Sequence, residues 1–230
     1  MKDKLTAFLL VGLLVVVVGQ AQEAGELPRP GLWSAHATRL EYSPGTAEKP
    51  GIRALRIPSP DKKLVLVVRD NLITVERGGR RLHGTEGVRL HPLAEMAWAP
   101  DAKAFFITQS DGGNVGTWTL DVYLIDGNQV RQVDVIHEVK LEFSKHYRCS
   151  ELTNPTATEE PNIAALAWLH DSTNLLVVAE VPPHSSCPEM GKLGGYIVAV
   201  PSGRILQDMD EKSLRASWTR TLGERLLMKQ

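Results

Sequence analysis

The chain has 230 residues, with 26 basic and 27 acidic side chains for a formal net charge of −1, and 43 % of it is apolar. Those values exclude a disordered, collagen-like or polytopic membrane protein, and near-neutral charge gives no basis for a nucleic-acid footprint, which needs a basic surface. Two cysteines are too few for a disulfide-built scaffold or a four-cysteine metal module.

At the start of the chain, Lys2 and Lys4 flank an apolar stretch of 14 residues, Leu5–Val18, and Gly19-Gln20-Ala21 places small residues where a signal peptidase reads. A helix needs about 20 apolar residues to span a bilayer. The stretch therefore reads as a cleaved secretory signal over residues 1–21 rather than a retained anchor. No cysteine precedes Cys149, which excludes lipid attachment at an N-terminal cysteine. The mature chain is expected to be periplasmic or secreted, in an oxidising compartment, with no membrane span after cleavage. Residues 22–31 are polar and Pro-containing and read as a flexible lead-in; residues 32–230 read as a single domain.

Within that domain the informative signal is internal repetition. Ala54-Leu55-Arg56-Ile57-Pro58-Ser59-Pro60-Asp61 followed by Leu64–Val68 is matched 40 residues on by Ala94-Glu95-Met96-Ala97-Trp98-Ala99-Pro100-Asp101 and Ala104–Ile107. A third copy, 70 residues further, runs Ala164-Ala165-Leu166-Ala167-Trp168-Leu169-His170-Asp171 and then Leu175–Ala179. Each copy predicts a strand, an Asp-containing turn and a second strand, because Pro presets φ and Asp can bond the backbone beyond it. The second strand is apolar at consecutive positions, so it must be covered on both faces. Two further strands per copy follow. Leu72–Glu76 turns at Gly78-Gly79 into Arg80–His83, Trp118–Ile125 turns at Gly127-Asn128 into Val130–Val135, and Tyr196–Val200 turns at Pro201-Ser202-Gly203 into Arg204–Gln207. Outside this pattern, Val139, Phe143 and Tyr147 predict a helix within 139–150. Leu214, Trp218 and Leu222 predict a second over 210–222 with Asp210 as N-cap, and each helix is expected to cover a sheet edge or end.

Four-stranded units at a period of about 40 residues are the signature of β-propeller blades. The Trp-x-Pro-Asp and Trp-x-x-Asp-Ser pieces, spread over residues 52–208, resemble the repeats of TolB-type, WD-repeat-like propellers of the bacterial envelope. The resemblance implies an all-β, propeller-like array of three to four four-stranded blades with a short C-terminal helix. This chain has fewer copies than the six blades of that family. Three blades are not expected to close a ring, so a fourth is expected from Leu32–Ser43 with C-terminal residues, or the array stays open or dimerises.

For chemistry, Cys149 lies between the second and third copies and Cys187 between the second and third strands of the third. Meander topology sends both connections to one end, so a Cys149–Cys187 disulfide is expected, stabilising by roughly 4 kcal/mol in the chain-entropy model. Each cysteine follows a histidine by three positions, His146 and His184, which raises a two-His, two-Cys zinc shell as the rival; the spacing is not the usual Cys-x-x-Cys. There is no Gly-x-Ser-x-Gly elbow, phosphate loop or dinucleotide fingerprint, and His137-Glu138 lacks a second zinc-ligand histidine at position 141. No cofactor is expected. The Ser110–Asn114 loop contributes Asp111 and Asn114 to the same end. Asp111, Asn114, His146, Tyr147 and His184 are thus the candidate binding residues, for a protein or small-molecule ligand. The alternative is a metal-dependent or Ser/His hydrolase using these same loops, with Ser185 or Ser186. Trp98 and Trp168 occupy equivalent positions and predict core packing. Trp118 also predicts core, while being the indole best placed for partial exposure.

Overall fold

Each repeat folds as the four-stranded antiparallel meander that its turn residues dictate. A computed structural model describes residues 29–40, 54–111, 117–147, 160–185 and 187–228. A short strand, β1 (Thr38–Arg39), precedes the repeats. The first sheet comprises β2 (Leu55–Pro58), β3 (Leu64–Arg69), β4 (Leu72–Arg77) and β5 (Arg80–Arg81). The second comprises β6 (Leu93–Trp98), β7 (Ala104–Ser110), β8 (Trp118–Asp126) and β9 (Gln129–Val133), with β1 added beside β6 as a fifth strand. Helix α1 (His137–His146) follows, and then the third sheet: β10 (Asn162–Leu169), β11 (Asn174–Glu180), β12 (Leu193–Ala199) and β13 (Ile205–Asp210). The chain ends in α2 (Glu211–Trp218), a 3₁₀ turn (Thr219–Thr221) and α3 (Glu224–Leu227).

The first two turns have the same hydrogen bonds. Ser59 N–H reaches Leu64 O at 2.9 Å and Ala99 N–H reaches Ala104 O at 2.8 Å, while Asp61 and Asp101 each accept from the backbone two residues on, Lys63 at 3.0 Å and Lys103 at 3.1 Å. The third turn departs from them, with left-handed backbone at His170 and Asp171, where the earlier two have it at Lys62 and Ala102.

Alternation along the second strands stacks the sheets. Phe105 and Ile107 of β7 join Leu64, Leu66 and Val68 of β3 in one core, and Phe106 turns the other way to join Leu175, Val177 and Ala179 of β11. The intervening Leu176 and Val178 face a third core with Leu214 of α2, Leu222, Leu226 and Trp33. As expected, the three repeat strands are corresponding members of successive sheets. Val139 and Phe143 of α1 enter the core between the second and third sheets.

One polar contact recurs at the seams. Trp98 Nε1 donates to Ile57 O at 3.3 Å and Trp168 Nε1 donates to Ala97 O at 3.1 Å. Ile57 and Ala97 are equivalent positions, so each indole reaches the same carbonyl of the sheet before it. The first repeat has Pro58 there, which carries no N–H. Trp98 and Trp168 are accordingly half-buried at seams, while Trp118 is the core indole, 5 % exposed and packed edge-on to Trp33 at 5.7 Å.

The segments expected to build a fourth unit do meet, but not as a four-stranded sheet. Ser34 bridges Leu222, and Gly223 and Arg225 N–H donate to Trp33 O and Leu32 O. Residues 32–35 and 221–226 thereby close the outer side of the third sheet, β1 is drawn to the second, and the described residues form no closed ring. Gly195 of β12 permits the close seat of α2: a Cβ there would lie 2.9 Å from Leu214 Cδ1. Asp210 caps α2 as expected, accepting from Ser213 N–H at 2.8 Å. Both helices are shorter than their apolar spacing predicts, α1 ending at His146 and α2 giving way to 3₁₀ geometry after Trp218.

The seam is testable: Trp168→Phe keeps most of the ring and removes the donor, and should cost about 1–2 kcal/mol, read as a lower urea midpoint with an unchanged slope. Trp98→Phe should behave alike. Unchanged midpoints in both would show that the indole bond contributes nothing to stacking.

Candidate functional site

Antiparallel meanders place the β7–β8 connection, the β11–β12 connection and the β9–α1–β10 crossing at one end of the stack, hereafter the loop end. Asp111 is exposed there, immediately after β7. His146 closes α1, exposed, with Nε2 3.5 Å from Glu142 Oε1. Tyr147 is half-buried, its ring centroid 4.5 Å from that of Phe143 and its hydroxyl donating to Leu193 O at 3.5 Å, at the start of β12. The end of α1 therefore lies against the β11–β12 connection that carries His184, exposed, and Cys187, buried and not a free thiol. Asn114, Cys149 and Ser186 lie outside the described residues. The structure thus brings His146 and Tyr147 alongside the His184 connection, whereas Asp111 shares the end without a hydrogen bond to them.

Three acids lie on or beside the strands that form this end, each held differently. Glu95 of β6 is 1 % exposed and accepts backbone N–H groups from Leu32, from Trp33 at 3.0 Å and from Ser34 at 3.1 Å. Gly31 makes this possible, since a Cβ there would sit 2.8 Å from Glu95 Oε2. Burial outweighs the three donors and pushes the Glu95 carboxyl up to about 7. Glu180, at the end of β11, is fully buried and receives Asn162 Nδ2 and Arg225 Nη2, both at 2.8 Å. Asn162 Oδ1 in turn accepts Trp118 N–H at 3.0 Å, and the Arg225 guanidinium lies 4.6 Å from the Trp33 ring centroid. Both arrangements clasp chain termini to strands.

Asp121 of β8 differs, because its surroundings open to solvent. Gln109 Nε2 and Gln132 Nε2 each donate to it at 2.7 Å, and burial raises its carboxyl above the ordinary aspartate value. It lines a cleft of about 510 Å³ with Thr119, Gln132, Asp134, His137 and Lys140, over an apolar floor of Leu120, Val133 and Ile136. Asp134 accepts from Ile136 N–H at 3.0 Å and His137 N–H at 3.2 Å, which fixes the first turn of α1 as one wall. Lys140 is held by Glu160 at 2.5 Å. The cleft combines carboxylate acceptors and amide donors on rigid elements, a chemistry of hydrogen bonding and charge recognition. Among the described residues no group of three His, Cys, Asp or Glu is placed to hold a metal.

Sequence reasoning did not single out Asp121, Gln132 or His137 as a binding set. The alternation of β8 marks Asp121 as outward-facing, but its two glutamine partners come from neighbouring strands, and only register brings them together. Compared with protein-family models, with curated proteins and with solved structures, the chain matches none.

Glu95 yields a pH prediction. Its folded pKa lies above the unfolded value, so the folded state holds the proton more tightly and stability falls as pH rises from about 4.5 through about 7. By linkage the loss is roughly 3 kcal/mol. Glu95→Gln should flatten the urea-derived stability between pH 5 and 8, measured against an otherwise identical wild type; a slope that survives would assign the titration elsewhere.

Proposed function

We propose that the chain is an exported, non-enzymatic binding or scaffold module of propeller type, akin to TolB-type repeats, that receives a protein or small-molecule ligand at its loop end. The observation that carries this reading is the cleft around Asp121, a half-open seat of polar groups set on strands and a capped helix rather than on loops alone. Asp121 has acceptor capacity beyond its two glutamine donors, so the ligand presents a cationic or hydrogen-donating group to it. Asp111, Asn114, His146, Tyr147 and His184 are the further candidate ligand contacts, with Asn114 outside the described residues.

The array reading is supported by three successive four-stranded meanders and by the repeated indole-to-carbonyl seam. In this reading the sheets are three blades of an open array whose far side is sealed by the chain termini. Export is supported by the sequence of residues 1–21. A Cys149–Cys187 disulfide is supported by the burial of Cys187 and by the approach of Tyr147, two residues before Cys149, to the β11–β12 connection.

Three measurements test this. With immobilised protein and envelope extract, Asp121→Asn should lower partner capture at least tenfold with an unchanged melting temperature, and combined His146→Ala and His184→Ala should weaken it further. Capture that is indifferent to all three substitutions removes the cleft from the account. Intact mass of the exported protein should begin at Gln22, and thiol titration after denaturation should find two thiols only when reductant is added.

A further inference from the structure

The β4–β5 hairpin carries an arrangement that folding alone does not favour. Its turn, Gly78-Gly79, has left-handed backbone at both residues and projects outward, since a Cβ at either would meet nothing within 4 Å. Register sets Arg77 directly opposite Arg80 and Glu76 opposite Arg81. Like charges facing each other across a ladder cost stability. Lys62 and Lys63 join them at the same end of the sheet, because Leu64 pairs with Arg77.

Acidic compensation is sparse. Lys63 Nζ is 3.7 Å from Asp61, and Glu76 is bonded at 2.8 Å to Arg56 rather than to the arginine facing it. Among the described residues Arg77 bonds the neutral Asn128 Oδ1, at 3.2 Å. Among the described residues Lys62, Arg80 and Arg81 have no acidic partner. The imbalance is regional: residues 54–92 hold eight Lys or Arg against four Asp or Glu, while residues 160–210 hold two against six. A chain of net charge −1 is therefore polarised, with its basic pole at this tip.

We infer that the tip formed by Lys62, Lys63, Arg77, Arg80 and Arg81 docks on the anionic phospholipid headgroups of a bilayer surface. A projecting tip with several separate cations suits a planar array of phosphates, to which each Lys or Arg adds an increment, rather than one enclosed anion. Outside residues 54–92 the chain is net acidic, and it offers no basic track for a nucleic acid to follow. The tip lies at the end opposite the Asp121 cleft, so docking leaves the loop end facing away from the surface. This inference does not depend on what the cleft binds.

The test is co-sedimentation of the exported chain, beginning at Gln22, with vesicles of phosphatidylcholine alone and of phosphatidylcholine mixed with phosphatidylglycerol. Partitioning should be at least tenfold higher on the mixed vesicles and should fall as salt is raised. Arg80→Glu with Arg81→Glu should remove that preference, whereas Arg204→Glu with Arg220→Glu, the same charge change on exposed sites elsewhere, should retain it. Equal losses in both double variants would trace the effect to net charge and overturn the site. Equal binding to both vesicle types, or tip-dependent retention of an acidic protein or RNA without vesicle binding, would overturn the choice of lipid.

Discussion

Strand β7 is buried along its whole length, Ala104 to Ser110, and a strand in that situation cannot exist at the surface of anything. Its two faces send Phe105 and Phe106 in opposite directions, each fully buried, and each needs an apolar sheet across from it. The first and third sheets supply those partners. Burying a phenylalanine side chain contributes about 2–3 kcal/mol, so the central sheet is stable only as the middle layer, and the order of the stack follows from it. The indole bonds of Trp98 and Trp168 add direction to this non-directional attraction: they set each sheet against one carbonyl of the last and so fix the angle and offset at which the layers meet.

Stacking leaves two outer faces, and the chain treats them differently. The outer face of the third sheet is as apolar as an inner one, with Leu176 and Val178 on β11, and it is closed by α2, Trp33 and Leu226. That closure depends on holding two chain ends in place, which is where the buried acids act. Glu95 gathers backbone N–H groups of the N-terminal segment, while Glu180 holds Arg225 of α3 against the indoles. A buried ion pair stabilises little over an apolar substitute but makes one arrangement far better than its neighbours, because a lost partner strands a charge. At the other side, the first sheet presents Arg56 and Glu76 outward as an ion pair, and Pro58 stands where later repeats have tryptophan. Its outer face also carries Val65 and Val67 of β3, Val67 buried, beside that ion pair.

Much of the stack is legible in the sequence because its rules are local. Pro-Asp turns, unbroken apolar second strands and the recurrence of tryptophan state the strand order and the double-sided burial. The site is less legible because its contacts are long-range. Glu95 sits between Ala94 and Met96 in an apolar strand and reads as an outward residue; its partners are backbone groups about 60 residues earlier, which no side-chain pattern encodes. Arg225 and Glu180 are 45 residues apart, and a lone arginine near the C-terminus has no signature. Trp118 was the indole most open to exposure when judged by its flexible-looking neighbours, and it is buried because Trp33 arrives from the far end of the domain.

Residues on strands are harder to recognise in a sequence than residues on loops. Loops advertise chemistry through composition: a glycine-rich turn or a histidine beside a cysteine is visible at once. A strand residue such as Asp121 is camouflaged by alternation, since every second position of β8 is expected to be polar. Its distinction is geometric. Gln109 on β7 and Gln132 on β9 flank it from both sides, locking the carboxylate in one orientation beside a cavity wall built from the first turn of α1. A carboxylate locked in this way loses little freedom when it receives a ligand, which favours affinity over an equivalent group on a mobile loop. The rigidity of the stack and the placement of the proposed site are thus one property, since the central sheet that forces the layers together also carries Asp121, on β8 between β7 and β9.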